Sequence, residues 1–423
     1  MNKNLFLVGV VLLTFFVVSF ITNILGPIFP SLVSDFNISL TIAGFLPFSF
    51  FAAYGVMSIP SGILVDKFGE KTVLYIAFSM AATGALLFGL LPSFSMAMLS
   101  LFLIGSGMAM LQVAINPLLR VVGGEENFAF YSVSGQLLFG AAGTLSPLVY
   151  SYFVTGLNQQ HDQSPLINLL SYLVPNDMNW LSMYWLFAVI SIAMLLIISR
   201  VNFPQVNRNA SESVGTLSIY KQLLKNKAVI LFFVAIAAYV GAEQGVANAM
   251  SLFLQQYHGL DPVTEGASVV SRFWLMLTLG CILGLALVKL LDSRIVLIGF
   301  AACAILSLSA AILGSKSISV IAFPLVGFFL SVMWSVIFSL ALNSVKNHHG
   351  SVAGILCTGI VGGGLASPLV GLIADITGDL RAGLVVVYIM LFYIFSIGFW
   401  AKPLVKNSTI TIFRRKAETT ENI

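Results

Sequence analysis

The sequence predicts an all-α membrane protein: twelve transmembrane helices in two pseudo-symmetric six-helix bundles, with both termini cytoplasmic. Three observations lead there. Apolar runs of about 20 residues, enough to cross a bilayer, recur from end to end of the 423-residue chain. Charge is scarce, with 58% of residues hydrophobic and 9% charged, where a soluble domain carries roughly a quarter charged residues; mean hydropathy is +1.00. Landmarks of the first half also return in the second at a near-constant offset. Gly62 and Gly284 are 222 apart, Gly105 and Gly327 again 222, and SPLV at Ser146–Val149 and Ser367–Val370 is offset by 221. A backbone in lipid must satisfy itself, so continuous runs of this length mean helices.

Span one is expected at 5–33. Its start resembles a signal peptide with Lys3 as the charged region, but no small-residue cleavage site follows and the run continues into ITNILGPIF, so it reads as a span. Spans two (40–65) and three (72–91) flank the short loop GILVDKFGEK, Gly62 to Lys71. Span four (96–121) contains Pro117, which interrupts backbone bonding. Span five (128–154) opens after Glu125 and Glu126, where negative charge suits a helix N-terminus. The connection 155–181 is polar and has no Lys or Arg; span six follows at 182–202. The polar stretch 203–221 is a flexible cytoplasmic linker dividing the spans six and six.

Span seven (227–257) carries Glu243 inside the oily segment YVGAEQGVAN, and span eight (264–289) carries Arg272. The GLALVKLLDSR loop then leads to span nine (295–313), keeping Gly284 and Asp292 at altered spacing like a degraded copy of the first-half loop. Span ten (318–345) has a serine stripe. His348 and His349 in the loop after it make a poor metal site and read as a solvated turn. Span eleven (351–376) ends near Asp375 and Asp379, read as solvated; span twelve (382–404) precedes a tail, 405–423. The expected units are thus bundles 1–202 and 222–404.

Lys and Arg fix the orientation. With the N-terminus inside, seventeen lie on the cytoplasmic side and only Lys316 and Arg381 outside, Arg272 being within a span; short cytoplasmic loops collect such residues. The net charge of +4 is explained by this and calls for no nucleic-acid partner. Cys281, Cys303 and Cys357 fall in apolar runs without metal-ligand spacing and read as small buried hydrophobes.

The loop Gly62–Lys71 resembles the signature loop of the major facilitator superfamily. Gly62, Asp66, Lys67, Gly69 and Lys71 match, and Glu70 stands where a basic residue is usual. A short glycine turn lets two helices pack closely at the membrane face. Asp66 can then accept hydrogen bonds from a neighbouring helix N-terminus or pair with a cation, a contact that locks one conformation and releases in another. The plainer reading is a tight turn obeying the positive-inside rule. The gating set is completed by Arg120.

LQVAINPLLRVVGGEENFAF (111–130), YVGAE (239–243), FSLALNSV and GSVAGILCTGIVGGGLASPLVGLIAD (338–375) are similar to the fucose/glucose–galactose permease family, sugar:cation symporters of that superfamily. The resemblance implies import of a monosaccharide driven by a cation gradient without identifying the sugar; a hexose such as glucose or galactose is the expected solute, and a monomer in the bacterial cytoplasmic membrane the expected setting. The fucose type carries acidic residues in spans one and four; Gly26 and Gln112 stand there instead. Gln at the second position is shared with the glucose/galactose branch.

The residues also speak for themselves. Gln112, Asn116 and Arg120 share a face of span four, and Ser132, Gln136, Gly140 and Gly143 a face of span five. Ser331, Ser335, Ser339 and Asn343 repeat every four residues in span ten beside Trp334, and Asn23 lies a turn before Pro27. Amides, hydroxyls and an aromatic plane suit a sugar. Asn23, Gln112, Asn116, Gln136, Asn248 and Trp334 are therefore the candidate solute contacts, although Ser, Gly and Asn in membrane helices also serve packing alone.

Glu243 is costly in lipid unless protonated, paired or facing a cavity. It either titrates or holds a cation during transport, or it pairs with Arg272 of span eight; a pair that breaks on protonation would be both. Such a carrier makes and breaks no bond, needs no catalytic residue, metal or cofactor, and shows no Gly-Lys phosphate loop. Its partners are a small polar solute, a proton or sodium ion, and the bilayer. The alternatives are a uniporter or carrier of another polar solute, and a membrane sensor on the same fold, for which the tail 405–423 is short.

Overall fold

In a computed structural model the protein is described at residues 3–124, 128–159, 164–175, 177–204, 217–345 and 349–404. Glu125, Glu126, His348, most of the linker and the tail lie outside these residues.

Twelve helices are long and apolar enough to cross a membrane. They run Leu5–Asp35, Leu40–Phe68, Glu70–Leu90, Phe94–Gly123, Tyr131–Asn158 and Asn179–Arg200 in the first half. The second half has Lys227–His258, Pro262–Leu290, Ser293–Leu313, Lys316–Leu342, Ser351–Thr377 and Leu380–Trp400. These are spans one to twelve; no strand occurs among the described residues. We call the side of the 155–181 connection the outer side and the side of the 203–221 linker the inner side.

The packing repeats. Span one lies against four and five, four against two and three, and three against six. Span seven lies against ten and eleven, ten against eight and nine, and nine against twelve. Adding six to the first set gives the second. The seams between the halves, two on eleven and five on eight, exchange under the same rule. The outer piece of span one also packs on seven.

Three spans are broken away from their ends. Span one stops at Thr22 and resumes at Leu25. Pro27 has no N–H, and its ring crowds the carbonyl four residues back, at Asn23. Span ten breaks between Leu330 and Met333, where Ser331 turns its hydroxyl onto the Phe328 carbonyl at 2.7 Å and so competes with the helix bonds. Span eleven tightens into a 3-10 turn at Gly359–Val361.

The connection 155–181, expected as a polar loop, contains a helix at Pro165–Leu173 capped by Ser164 Oγ, which accepts from Ile167 N at 3.4 Å. The linker ends in a helix, Leu217–Leu223, packed against the inner end of span eleven. The three cysteines are half-buried rather than buried, and Cys281 Sγ donates to Ser331 O at 3.3 Å.

The outer ends of the halves meet through bare backbone. A side chain at Gly26 would collide with the carbonyl oxygen of Ala247, at Gly44 with Pro368, and at Gly371 with Leu40. Asp375, expected to be solvated, reaches from span eleven to the start of span two. Its carboxylate accepts from Thr41 N at 2.8 Å, Thr41 Oγ1 at 2.5 Å and Leu40 N at 3.2 Å. These are the donors a helix N-terminus leaves without partners. Asp379, also expected to be solvated, accepts from the Tyr257 hydroxyl and from Arg381 N at 2.8 Å. Those bonds hold its carboxyl below the usual range.

Candidate functional site

Span seven is hemmed in by spans one, ten, eleven and twelve. From Ala238 to Leu254 every residue except Glu243 is buried, and Glu243 is half-buried. The one break in this buried stretch thus falls at Glu243. Glu243 Oε2 accepts from the Tyr239 hydroxyl one turn earlier, and Oε1 accepts from Gln244 Nε2 at 3.3 Å. The Tyr239 ring lies 6.1 Å from that of Trp334 in span ten, which in turn stacks on Phe338 at 5.8 Å. Acid, phenol and indole form one group across two spans. Sequence reasoning missed Tyr239, although its i, i+4 spacing to Glu243 is the signal that finds it.

The first half presents amides. Span four has neighbours on spans one, two, three and five. Its inner half is open at Asn116, which is exposed, and at Gln112 and Arg120, which are half-buried. Asn116 Nδ2 donates to the Gln112 carbonyl at 3.4 Å. Gln136 of span five is exposed and shares its face with Gly140 and Gly143 further out, which close against Thr278 and Trp274 of span eight. Gln136 therefore points toward the second half, just inward of where spans five and eight touch. Exposed apolar residues of span five, Val133, Leu137, Leu145, Leu148 and Tyr152, lie on a separate stripe. In span ten Ser335 and Ser339 are exposed and Asn343 half-buried, whereas Ser331 is buried.

Asn23, at the break in span one, is buried and donates from Nδ2 to Ser19 Oγ at 2.9 Å. Ser19 in turn donates to the Phe139 carbonyl of span five at 2.5 Å. A methyl group at Gly143 would stand 3.0 Å from Asn23 Nδ2, 3.3 Å from Ser19 Oγ and 3.4 Å from the Trp274 ring. Trp274 is 4% exposed, and its Nε1 has no hydrogen-bond partner among the described residues. Such a buried donor is uncommon. A lone Trp in an apolar run gives no sign of this in the sequence.

Two expectations are corrected. Arg272 does not meet Glu243. It is exposed and turns back along its own helix, donating from Nε to the Ser268 carbonyl at 3.3 Å and from Nη2 to Ser268 Oγ at 3.4 Å. The offset along the helix axes allowed a pair; the rotation of span eight about its own axis forbids it. Asn248 is 3% exposed and donates to Ser367 Oγ of span eleven at 3.1 Å, which places it in a helix–helix contact.

The signature loop has a clear local geometry. Gly69 ends span two at φ +79°, a conformation that favours glycine, and donates to the Val65 carbonyl at 2.8 Å. Gly62 is buried. Lys71 reaches the Ser199 carbonyl and Asn202 Oδ1, both at 3.4 Å, so it ties the loop to span six of its own half. Lys67 lies over the Phe68 ring at 5.1 Å. Glu70 is buried. Asp66 is close enough to the linker helix to act on Tyr220. Burial raises that hydroxyl above its ordinary range, a hydrogen bond from Ser351 opposes this, and the Asp66 charge adds to the rise.

The Major Facilitator Superfamily profile matches residues 11–368. The chain is similar to a glucose/galactose transporter of Brucella abortus biovar 1 (strain 9-941), 28% identical over 377 residues, covering 86% of this chain and 87% of that one. It is similar to an L-fucose-proton symporter of Escherichia coli (strain K12), 24% identical over 383 residues and 86% of each chain. The crystal structure of the E. coli fucose:proton symporter superposes with a TM-score of 0.66 at 21% identity, over 95% of this chain and 100% of that one.

Proposed function

The chain belongs to the Major Facilitator Superfamily, transporters and not enzymes, and from this we propose that it imports a monosaccharide by cation-coupled symport. A hexose of the glucose or galactose kind is the favoured solute. The bundles 1–202 and 222–404 move as bodies about the seams two–eleven and five–eight, joined by the linker 203–221, in the bacterial cytoplasmic membrane with both termini inside. The proposal leans on one observation. Between Ala238 and Leu254 of span seven every residue but Glu243 is buried, and the aromatic pair Tyr239–Trp334 adjoins it.

In this reading the amides of Gln112, Asn116 and Gln136 and the donors of Asn23 and Trp274 meet the hydroxyls of the sugar, and Trp334 covers its apolar face. Glu243 takes the cation, with Tyr239 holding the carboxylate toward the opening. Asp66 and Arg120 act at the inner gate and Asp375 at the outer. The glucose/galactose transporters and fucose-proton symporters among the relatives support the solute class and the cation.

The test is uptake of labelled glucose, galactose and fucose into proteoliposomes with proton and sodium gradients imposed separately. Accumulation above equilibrium under one gradient is expected. Equilibration without accumulation under either would leave the second reading, a uniporter, which the want of room for any acid at Gly26 favours.

A further inference from the structure

The function above leaves Arg272 unused. It lies ten residues into span eight, roughly 15 Å from Pro262 by helical rise. No carboxylate among the described residues pairs with it; its only bonds are the two long ones to Ser268. A guanidinium has five N–H donors, and an unneutralised one at this depth is costly in lipid. It lines a cleft of about 440 Å³ between the outer ends of spans eight and ten, together with Thr264, Glu265, Ser268, Lys316 and Ser317.

The electrostatics of the cleft favour an anion. Glu265 is already engaged. One of its oxygens accepts Asp261 N at 3.1 Å and the other lies 3.8 Å from Lys316 Nζ, an exposed pair that binds weakly. Asp261 is turned to Thr264, accepting from its N at 2.8 Å and Oγ1 at 2.5 Å. Two cations therefore face one carboxylate. On the inner side of the cleft the same faces are apolar and open: Leu275 and Leu279 on span eight, Ile321 and Leu325 on span ten. Cationic donors above an exposed apolar channel match the two parts of a phospholipid.

We propose that this cleft binds the phosphodiester of a phospholipid from the outer leaflet, held by Arg272 and Lys316, with an acyl chain along the channel between spans eight and ten. The guanidinium suits the planar, forked geometry of phosphate oxygens. Arg272 then holds the outer half of span eight to the bilayer surface while span five is packed on its other side. The site is separate from the solute path.

The test is lipid binding to the purified full chain by native mass spectrometry, with dioleoyl phosphatidylglycerol as probe and dioleoyl glycerol as the headless control. The intact protein is expected to retain phosphatidylglycerol. Arg272→Gln with Lys316→Gln should weaken retention about tenfold, whereas Lys289→Gln at the inner end should leave it unchanged. Glu265→Gln should strengthen it. Equal binding of phosphatidylglycerol to the double variant, if that variant keeps the parent's melting temperature, would overturn the proposal. Equal binding of dioleoyl glycerol would reduce the site to an apolar groove. Displacement of the lipid by inorganic phosphate would assign it to a soluble anion.

Discussion

The carboxylate of Asp375 in span eleven accepts both the backbone N–H and the hydroxyl of Thr41 in span two, at 2.8 and 2.5 Å, and so binds the two halves together at the outer side. Any state open to the outside must give up these bonds. Asp375→Asn keeps the shape and removes the charge. The contact is exposed, so its worth is about 1 kcal/mol rather than the fuller value of a buried charged bond. That corresponds to roughly a fivefold shift toward outward opening. Spin-label distances between Ser34→Cys and Thr377→Cys in a cysteine-free background would report it, and an unchanged distribution would count against a latch.

Glu243→Gln keeps the shape of the side chain, leaves one acceptor oxygen where the carboxylate has two, and removes the charge. Gradient-driven accumulation should be lost while exchange of labelled for unlabelled solute continues. Persistent accumulation would remove Glu243 from coupling; loss of exchange as well would make it a solute contact or a structural group. Tyr239→Phe should lower accumulation less, by about 1–3 kcal/mol in apparent coupling, since it removes one donor and leaves the acid.

Gly26→Asp should not create a second coupling site. The carbonyl oxygen of Ala247 occupies the space a side chain needs, and forcing one in costs about 1–3 kcal/mol. A lowered melting temperature with no gain in accumulation is expected, read by thermal denaturation in detergent and by the proteoliposome assay.

Trp274→Phe keeps an aromatic ring beside Gly143 and removes the unpartnered N–H. A purely structural indole would make this change neutral or stabilising, because a buried donor without an acceptor costs energy. A solute-contacting one would raise the half-saturating sugar concentration about tenfold with the melting temperature unchanged.

The outer end of span twelve should weaken in acid. The bonds to Asp379 from Tyr257 and Arg381 depress its pKa, so its contribution is complete above the unfolded value of about 4. It fades as pH falls through the lower folded value. Hydrogen exchange of the backbone at 378–384 should accelerate below that pH in the parent, whereas Asp379→Asn should show fast exchange throughout.

The twelve spans were legible because lipid imposes one requirement on every residue of a span, and hydropathy sums it. Span seven, expected at 227–257, runs Lys227–His258; the least accurate ends, as at span five, lie where polar loops begin helically. Position along a helix was therefore readable, and rotation about it was not. Arg272 lies at a depth that allowed a pair with Glu243, yet turned away from it. Asn248 looked like a solute ligand because an amide in an apolar run signals only that some partner exists, not that Ser367 is the one. Asp375 and Thr41 are 334 residues apart, and no local pattern predicts such a bond. Span one was expected unbroken over 5–33 and is interrupted before Pro27, whereas Pro117, expected to interrupt bonding in span four, leaves its helix continuous from Phe94 to Gly123; a proline in the sequence does not by itself tell a break from a tolerated kink.

Where the halves touch at their outer ends they do so glycine against backbone, at Gly26, Gly44 and Gly371. Interlocked side chains would have to disengage and search for rotamers each time the surfaces separated. Smooth contacts of this kind can part and rejoin with almost no reordering, so little conformational entropy is spent per cycle. Turnover then becomes sensitive to the few polar ties that cross the join, and a single added methyl at one of these glycines would act as a wedge on the speed of the whole carrier.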